Sequence, residues 1–315
     1  MEFSYTPDTL LNCVQLAAIL EVSGYPKPGN VHRTRDFQDT RYEHFLVGGI
    51  VIRKAFQALC KNSLKIYNNK LDYSELKLGK YILEAVNDSL SWHHGGNTNL
   101  GVILLLVPMV AAASMLQNEV PIQESELRDL IDIIIKKSTY LDTINLYKAI
   151  RTAKAGGLGK VDKFDINNES SFTEIKRNRV NLYKIFDLSK ERDTISMEWV
   201  SKFKITFELG VPYFIKTFDE TKCINTSTVN TFLKIASEVP DSLIIRTHGL
   251  EMALDYSKKA SDILSKGGLK SHECLNELIK WENNLLKTGI KINPGTTADL
   301  TAAVLFIALL SGIRF

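Results

Sequence analysis

Over most of this chain, apolar residues recur three or four positions apart, and strand-like alternation is nearly absent. A start signal stands at Thr6, Pro7 and Asp8: a capping side chain, a proline suited to a first turn, and an acid that complements the helix dipole. Leu10, Val14 and Ala17 then lie on one helical face. Further helical runs are expected over residues 41–61, 74–90, 97–117, 125–137 and 142–154. A polar, glycine-containing middle follows, and then runs over 169–186, 194–216, 228–237, 250–265, 273–287 and 296–310. No β–α alternation recurs. The fold class is therefore all-α: a single multi-helix globular domain over residues 1–315 with buried apolar central helices. A loop near 156–168 is where two lobes would part.

Two strongly apolar stretches test that picture against a membrane. Residues 100–116 (LGVILLLVPMVAAASML) are interrupted by Gly101 and Pro108 and fall short of the ~20 residues a spanning helix needs. Residues 300–313 are shorter still. Buried central helices are the reading of both. The first residues, MEFSYTPDTL, lack a basic segment followed by an apolar one, so no signal peptide is expected. Cys13, Cys60, Cys223 and Cys274 are widely spaced and form no C-x-x-C pair, which points to a reducing compartment without a disulfide framework or zinc site. With a formal net charge of only +3, nothing global argues for nucleic acid or an anionic membrane. A cytoplasmic protein with small-molecule partners is expected, and its oligomeric state is left open.

Local patterns carry more. Residues 21–45 read EVSGYPKPGNVHRTRDFQDTRYEHF. Pro26 and Pro28 restrict their own backbones and those before them, while Gly29 permits an unusual turn, so a stiff loop should follow the first helix. It carries Lys27, His32, Arg33, Arg35 and Arg41 among Asp36, Asp39 and Glu43. Cations beside carboxylates suit a magnesium polyphosphate, and they equally suit a solvated loop laced with ion pairs. Glu21 shifts the balance. It extends the face of Leu10, Val14 and Ala17 close to a helix C-terminus, where desolvation and the helix dipole both oppose a carboxylate. Such a position calls for a cation, a metal or a catalytic role.

Three further segments stand at predicted helix starts or loops. In residues 93–101 (HHGGNTNLG), two glycines precede Asn97, which can cap the apolar helix, and unpaired amides there would form an anion site. Adjacent His93 and His94 lack metal-ligand spacing. Residues 154–160 (KAGGLGK) miss the phosphate-loop spacing, because Lys154 stands where its first glycine belongs and Val161 where Ser or Thr belongs. In residues 293–300 (NPGTTADL), Thr296 and Asp299 have capping-box spacing, which a structural role explains; Asp299 also shares a face with Ala303, Phe306 and Leu310 and could point inward.

Together these segments resemble the triphosphoribosyl-dephospho-CoA synthase family, which makes the prosthetic-group precursor of citrate lyase and malonate decarboxylase. The family's E-V-x-x-x-P-K-P-G signature stands at residues 21–29, its N-T-H-K-G region is similar to 97–101, and its S-P-G-G-S-A-D-L ending is similar to 293–300, in family order. The departures are His32 in place of aspartate, Leu100 in place of lysine, and a loose counterpart of D-T-N and R-G-G at Asp241–Ser242–Leu243 and Arg246–Thr247–His248–Gly249. The pattern is that of a divergent branch.

The resemblance implies a transferase that moves the triphosphoribosyl group of ATP onto a hydroxyl of dephospho-CoA or a related acceptor, releasing adenine, with Mg²⁺ as cofactor. It places Lys27, Gly29, Arg33, Arg35, Gly95, Gly96, Asn97 and Thr98 at the nucleotide, and Arg41 and Arg246 as secondary phosphate contacts. Glu21, Asp39 and Asp299 would hold metal or act as base. Two other readings fit the residues: ATP-dependent phosphoryl transfer, and a non-catalytic helical nucleotide-binding protein.

Overall fold

The computed structural model describes residues 6–117 and 122–315, and its regular elements there are helices; the β-type contact between His32 and Arg35 is an isolated bridge. Residues 1–5, part of the stretch read for a targeting signal, lie outside the described residues. In chain order the helices are α1 (Pro7–Ser23), α2 (Tyr42–Val51), α3 (Arg53–Asn68), α4 (Leu78–Leu90), α5 (Leu100–Met115), α6 (Glu124–Lys137), α7 (Tyr140–Ala153) and α8 (Ser170–Asn178). They continue with α9 (Leu182–Asp187), α10 (Thr194–Val200), α11 (Val211–Thr221), α12 (Ile224–Glu238), α13 (Ser242–His248), α14 (Leu250–Ser265), α15 (His272–Lys287) and α16 (Gly295–Leu310). The all-α fold class holds.

Element boundaries differ from the periodicity where the backbone overrides it. The run expected over 41–61 breaks at Ile52 and continues to Asn68. That over 169–186 is two helices, parted where Arg179 turns left-handed (φ 46°) and Asn181 caps the next by accepting from the Lys184 amide. That over 194–216 is interrupted at Lys202 and Phe203 (φ 55° and 57°), and resumes as a π-turn over Ile205–Gly210. Pro212 explains the wide turn. It has no N–H for the carbonyl four residues back, and its ring would clash with that carbonyl in a regular helix. α13 was not expected at all.

The chain divides into two compact units, one built from the residues up to Leu16 with Val47–Phe203, the other from Ala17–Leu46 and Lys204–Phe315. The 156–168 loop lies inside the first. There α5 is buried along its whole length, with α3, α4, α6 and α10 against it. α3 shows how a surrounding helix contributes: Ala55, Phe56, Leu59, Cys60, Ser63 and Ile66 form one buried stripe while Lys54 and Lys61 face water. In the second unit α12 packs on α11, α14 and α16, around Phe232, Leu233, Ile244, Tyr256 and Trp281. α16 is buried almost throughout. Both apolar stretches thus fill cores, and no helix among the described residues is long and apolar enough to cross a membrane.

Gly79 shows how closely the first unit is packed. Its amide donates to Asp142 Oδ1 (3.0 Å), and an added Cβ would overlap the Asp142 backbone where α4 meets α7. Gly79→Ala must push the two helices apart. We expect a loss of about 1–3 kcal/mol, measured by urea unfolding, with the helical circular dichroism of the folded state retained.

Candidate functional site

The second unit gathers four separated stretches of sequence around the loop that follows α1. α1 begins as expected, with Thr6 Oγ1 accepting from the Thr9 amide (3.2 Å), and its buried stripe of Leu10, Val14 and Ala17 continues to Glu21. The helix ends at Ser23, and the chain turns through a cis Tyr25–Pro26 bond into the Pro-Lys-Pro-Gly loop. Three clamps hold that loop. Asn225, at the start of α12, accepts from the Tyr25 amide (3.0 Å) and donates to the Tyr25 carbonyl (2.8 Å). The buried Tyr256 hydroxyl of α14 donates to the Pro28 carbonyl (2.6 Å). Asn30 donates to Asn293 Oδ1 (3.1 Å), just ahead of α16. Gly29 sits at φ 88°, a left-handed conformation that favours glycine, and an added Cβ would press on the Ile292 carbonyl at 3.1 Å.

Inside this frame the Lys27 ammonium is wholly buried. It donates to Glu21 Oε1 in an ion pair and to Asn30 Oδ1 (3.2 Å), and lies 5.7 Å from the centre of the Phe232 ring. Burial pushes the Lys27 pKa down and the Glu21 pKa up; their mutual attraction, and for Lys27 the nearby Asp299 charge, pull back. The carboxylate that looked misplaced on the apolar face of α1 has its cation six residues later.

A polar seam joins α13 to α16. Asp241, buried, accepts on Oδ1 from the Leu243 and Ile244 amides (2.8 and 3.1 Å), and on Oδ2 from the amide and hydroxyl of Thr297 (2.7 and 2.8 Å). Burial pushes its pKa up while these four donors pull it back. Ser242 Oγ lies 3.1 Å from Thr296 Oγ1, and Arg246 Nη1 donates to Ser242 Oγ (3.3 Å). α16 starts at Gly295, so Thr296 lies within its first turn rather than ahead of it. Asp299, half-buried, follows one turn into the helix.

The remaining cations and carboxylates separate. Arg33 is exposed, donating to Asn225 Oδ1 (2.9 Å) with its guanidinium 5.5 Å from the Tyr25 ring centre. Arg35 is buried against Glu282 of α15, as is His32. Asp39 lies at the surface, 69% exposed, accepting from Lys291 Nζ at 2.6 Å, and that hydrogen bond holds its pKa below the usual carboxylate value. Arg41 is exposed beside Glu43. Of the three carboxylates expected to hold metal or act as base, Glu21 is paired with Lys27 and Asp39 with Lys291. No group of three or more His, Cys, Asp or Glu side chains among the described residues is placed to hold a metal ion.

In the first unit, the 93–101 segment also differs in detail. The Gly95 amide donates to His93 Nδ1 (3.2 Å), which takes it away from any anion, and Nε2 of that buried ring meets Ser89 and Thr98 hydroxyls (3.2 and 3.3 Å). Asn97 Oδ1 accepts from the Leu100 amide (3.2 Å), but the N-cap position of α5 is Asn99, which makes no side-chain cap bond. Gly96 turns at φ 68° with open space beside it.

A family model described as CitG, ATP:dephospho-CoA triphosphoribosyl transferase, matches residues 7–314. The chain belongs to the CitG family. A CitG relative from Acinetobacter calcoaceticus, named for 2-(5''-triphosphoribosyl)-3'-dephosphocoenzyme-A synthase, is 24% identical over 110 residues, 35% of this chain and 37% of that protein. The match thus spans well under half of that relative. A crystal structure from Archaeoglobus fulgidus, titled for triphosphoribosyl-dephospho-CoA synthase, superposes over 87% of this chain and all of its own, at TM-score 0.64 and 26% identity.

Asn225, Tyr256 and Glu282 join these residues in the structure without a signal of their own in the sequence, and Asn293 joins them from the 293–300 segment. Glu282 sits on an amphipathic helix like any solvated acid, and the two asparagines and the tyrosine act on loop backbone or amide that only the fold brings to them. Asn293, beside Pro294 and Gly295, had the clearest signal.

Two outcomes follow for the site. Glu21→Leu strands the Lys27 ammonium in the core and should cost about 3–5 kcal/mol in urea unfolding. The double variant Glu21→Leu with Lys27→Met should recover most of that loss. Cys223 is exposed, and its thiol pKa is lowered by hydrogen bonding to Thr226 and by the Arg33 charge, whereas Cys13, Cys60 and Cys274 are buried. Mass spectrometry after brief iodoacetamide treatment of the native protein should find Cys223 alkylated first.

Proposed function

We propose that this chain transfers the triphosphoribosyl group of ATP to the ribose 2′-hydroxyl of dephospho-CoA, releasing adenine. The observation that carries the reading is the buried Lys27–Glu21 pair, held in the Pro-Lys-Pro-Gly loop against the Asn293–Asp299 segment. In the reaction the bond between ribose C1′ and adenine N9 breaks and one between C1′ and the acceptor oxygen forms. The proton lost by the acceptor hydroxyl balances the proton gained by adenine. Positive charge develops at C1′, so carboxylates nearby favour the transition state.

Asp299, half-buried at the start of α16 and electrostatically coupled to Lys27, suits the base that accepts the hydroxyl proton. Lys27 and Glu21 provide a buried ion pair, and the Lys27 ammonium feels the Asp299 charge. Arg35 and Arg246 are the cations anchored by buried partners and suit the triphosphate; Arg33 and Arg41, exposed, suit its outer end. Mg²⁺ would be held mainly by triphosphate oxygens and water, since the described residues offer no all-protein cage. When bound it neutralises triphosphate charge. A reducing cytoplasm that supplies both substrates is the compartment we infer.

Incubation with Mg-ATP, with and without dephospho-CoA, followed by chromatography, tests the reading. Adenine should accumulate only with the acceptor. ADP or AMP as the product, or ATP left intact with the acceptor present, would overturn it. Lys27→Met and Asp299→Asn should each lower adenine release by about a hundredfold or more.

A further inference from the structure

Around α15, Glu282 and His32 have no part in the proposed reaction. Glu282 is buried in the middle of α15, and its Oε1 is approached from two directions. His32 Nε2 lies 2.6 Å away and Arg35 Nη1 3.3 Å away. His32 is itself wholly buried. Its Nδ1 faces the Thr34 amide (3.4 Å) and hydroxyl (3.2 Å), and the ring meets Tyr25 edge-on at 5.2 Å between centroids. Since a backbone amide can only donate, Nδ1 accepts, and the ring proton sits on Nε2, directed at Glu282.

Residues 32–35 form a tight turn closed by two backbone hydrogen bonds, the His32 amide to the Arg35 carbonyl (3.1 Å) and the reverse (2.9 Å). Both ends of that turn are thus fastened to one carboxylate oxygen. Arg35, 7% exposed at its side chain, uses Nη1 on Glu282, while its buried Nε has no hydrogen-bond partner among the described residues. A buried guanidinium N–H without an acceptor costs free energy that an anionic oxygen would offset.

We propose that Glu282 is a positioning residue for anion binding: it fastens His32 and Arg35 to α15, fixing the guanidinium plane so that Arg35 presents its remaining donors to a polyphosphate. The inference rests on the reading of Arg35 as a triphosphate contact. Glu282 does not touch substrate. A lysine could not replace Arg35, because a point charge has no second donor edge to aim once the carboxylate is satisfied.

The test measures binding of inorganic tripolyphosphate with Mg²⁺ by calorimetry, and ATP kinetics, on the full chain. Glu282→Gln should weaken tripolyphosphate binding and raise KM for ATP by about tenfold, with kcat within about twofold. In an Arg35→Ala background, Glu282→Gln should have little further effect, since it acts through Arg35. Arg35→Lys, which leaves Glu282 paired, should bind tripolyphosphate nearly as weakly as Arg35→Ala, and it serves if Glu282→Gln fails to fold. Unchanged binding in Glu282→Gln, effects that add with Arg35→Ala, a fall in kcat alone, or a fully active Arg35→Lys would each overturn the inference while leaving Arg35 at the triphosphate. Arg35→Ala that binds tripolyphosphate as tightly as the wild type would remove the underlying assignment instead.

Discussion

The buried ion pair between Lys27 and Glu21 is the constraint around which the second unit is organised. Taking an ammonium and a carboxylate out of water costs several kcal/mol each, and their attraction offsets this only when the geometry is fixed and the remaining donors are met. The surrounding sequence supplies that fixity. Two prolines stiffen the loop, Gly29 lets it turn against the Ile292 carbonyl, and Asn30 takes a second Lys27 proton. Asn225, Tyr256 and Asn293 then hold loop backbone and side chains from three other helices or their ends. A solvated loop would need none of these clamps.

The same economy appears at the helix ends. Orphan amides at a helix start must find acceptors, and Asp241 satisfies two in α13 and one in α16 with a single carboxylate. That shared acceptor brings the first turns of α13 and α16 together, and Ser242 there meets both Thr296 and Arg246. Polar groups concentrate there because the middles of the helices are closed to them: α16 is apolar and buried beyond Thr301.

Within the 32–35 turn, burial divides residues that look alike in the sequence. Arg33 and Arg35 are two positions apart, in a chain segment with charges of both signs, yet one is exposed on a tyrosine ring and the other lies buried on Glu282. Asp36 and Asp39, equally acidic on paper, go outward, one capping the Tyr42 amide and the other meeting Lys291. Their charges serve local structure.

What depends on near neighbours was legible in the chain alone: the helical class, from spacing of apolar residues; the start of α1 at Thr6 and Pro7; and the anomaly of Glu21, because a carboxylate on an apolar face near a C-terminus is visible within a single helix. Its partner at Lys27 was within reach of the same stretch. Tertiary structure alone decided which acids and bases meet across distance. Glu282 reaches His32 over 250 positions, Asn225 grips Tyr25 over 200, and Asp39 is diverted to Lys291, since side-chain pairing across a fold follows the packing of helices and leaves no period in the chain. Helix breaks at Lys202 and Phe203 and the short α13 were hidden for a related reason: a left-handed residue or a seven-residue helix is stabilised by what it packs against, and periodicity over a longer window averages it away.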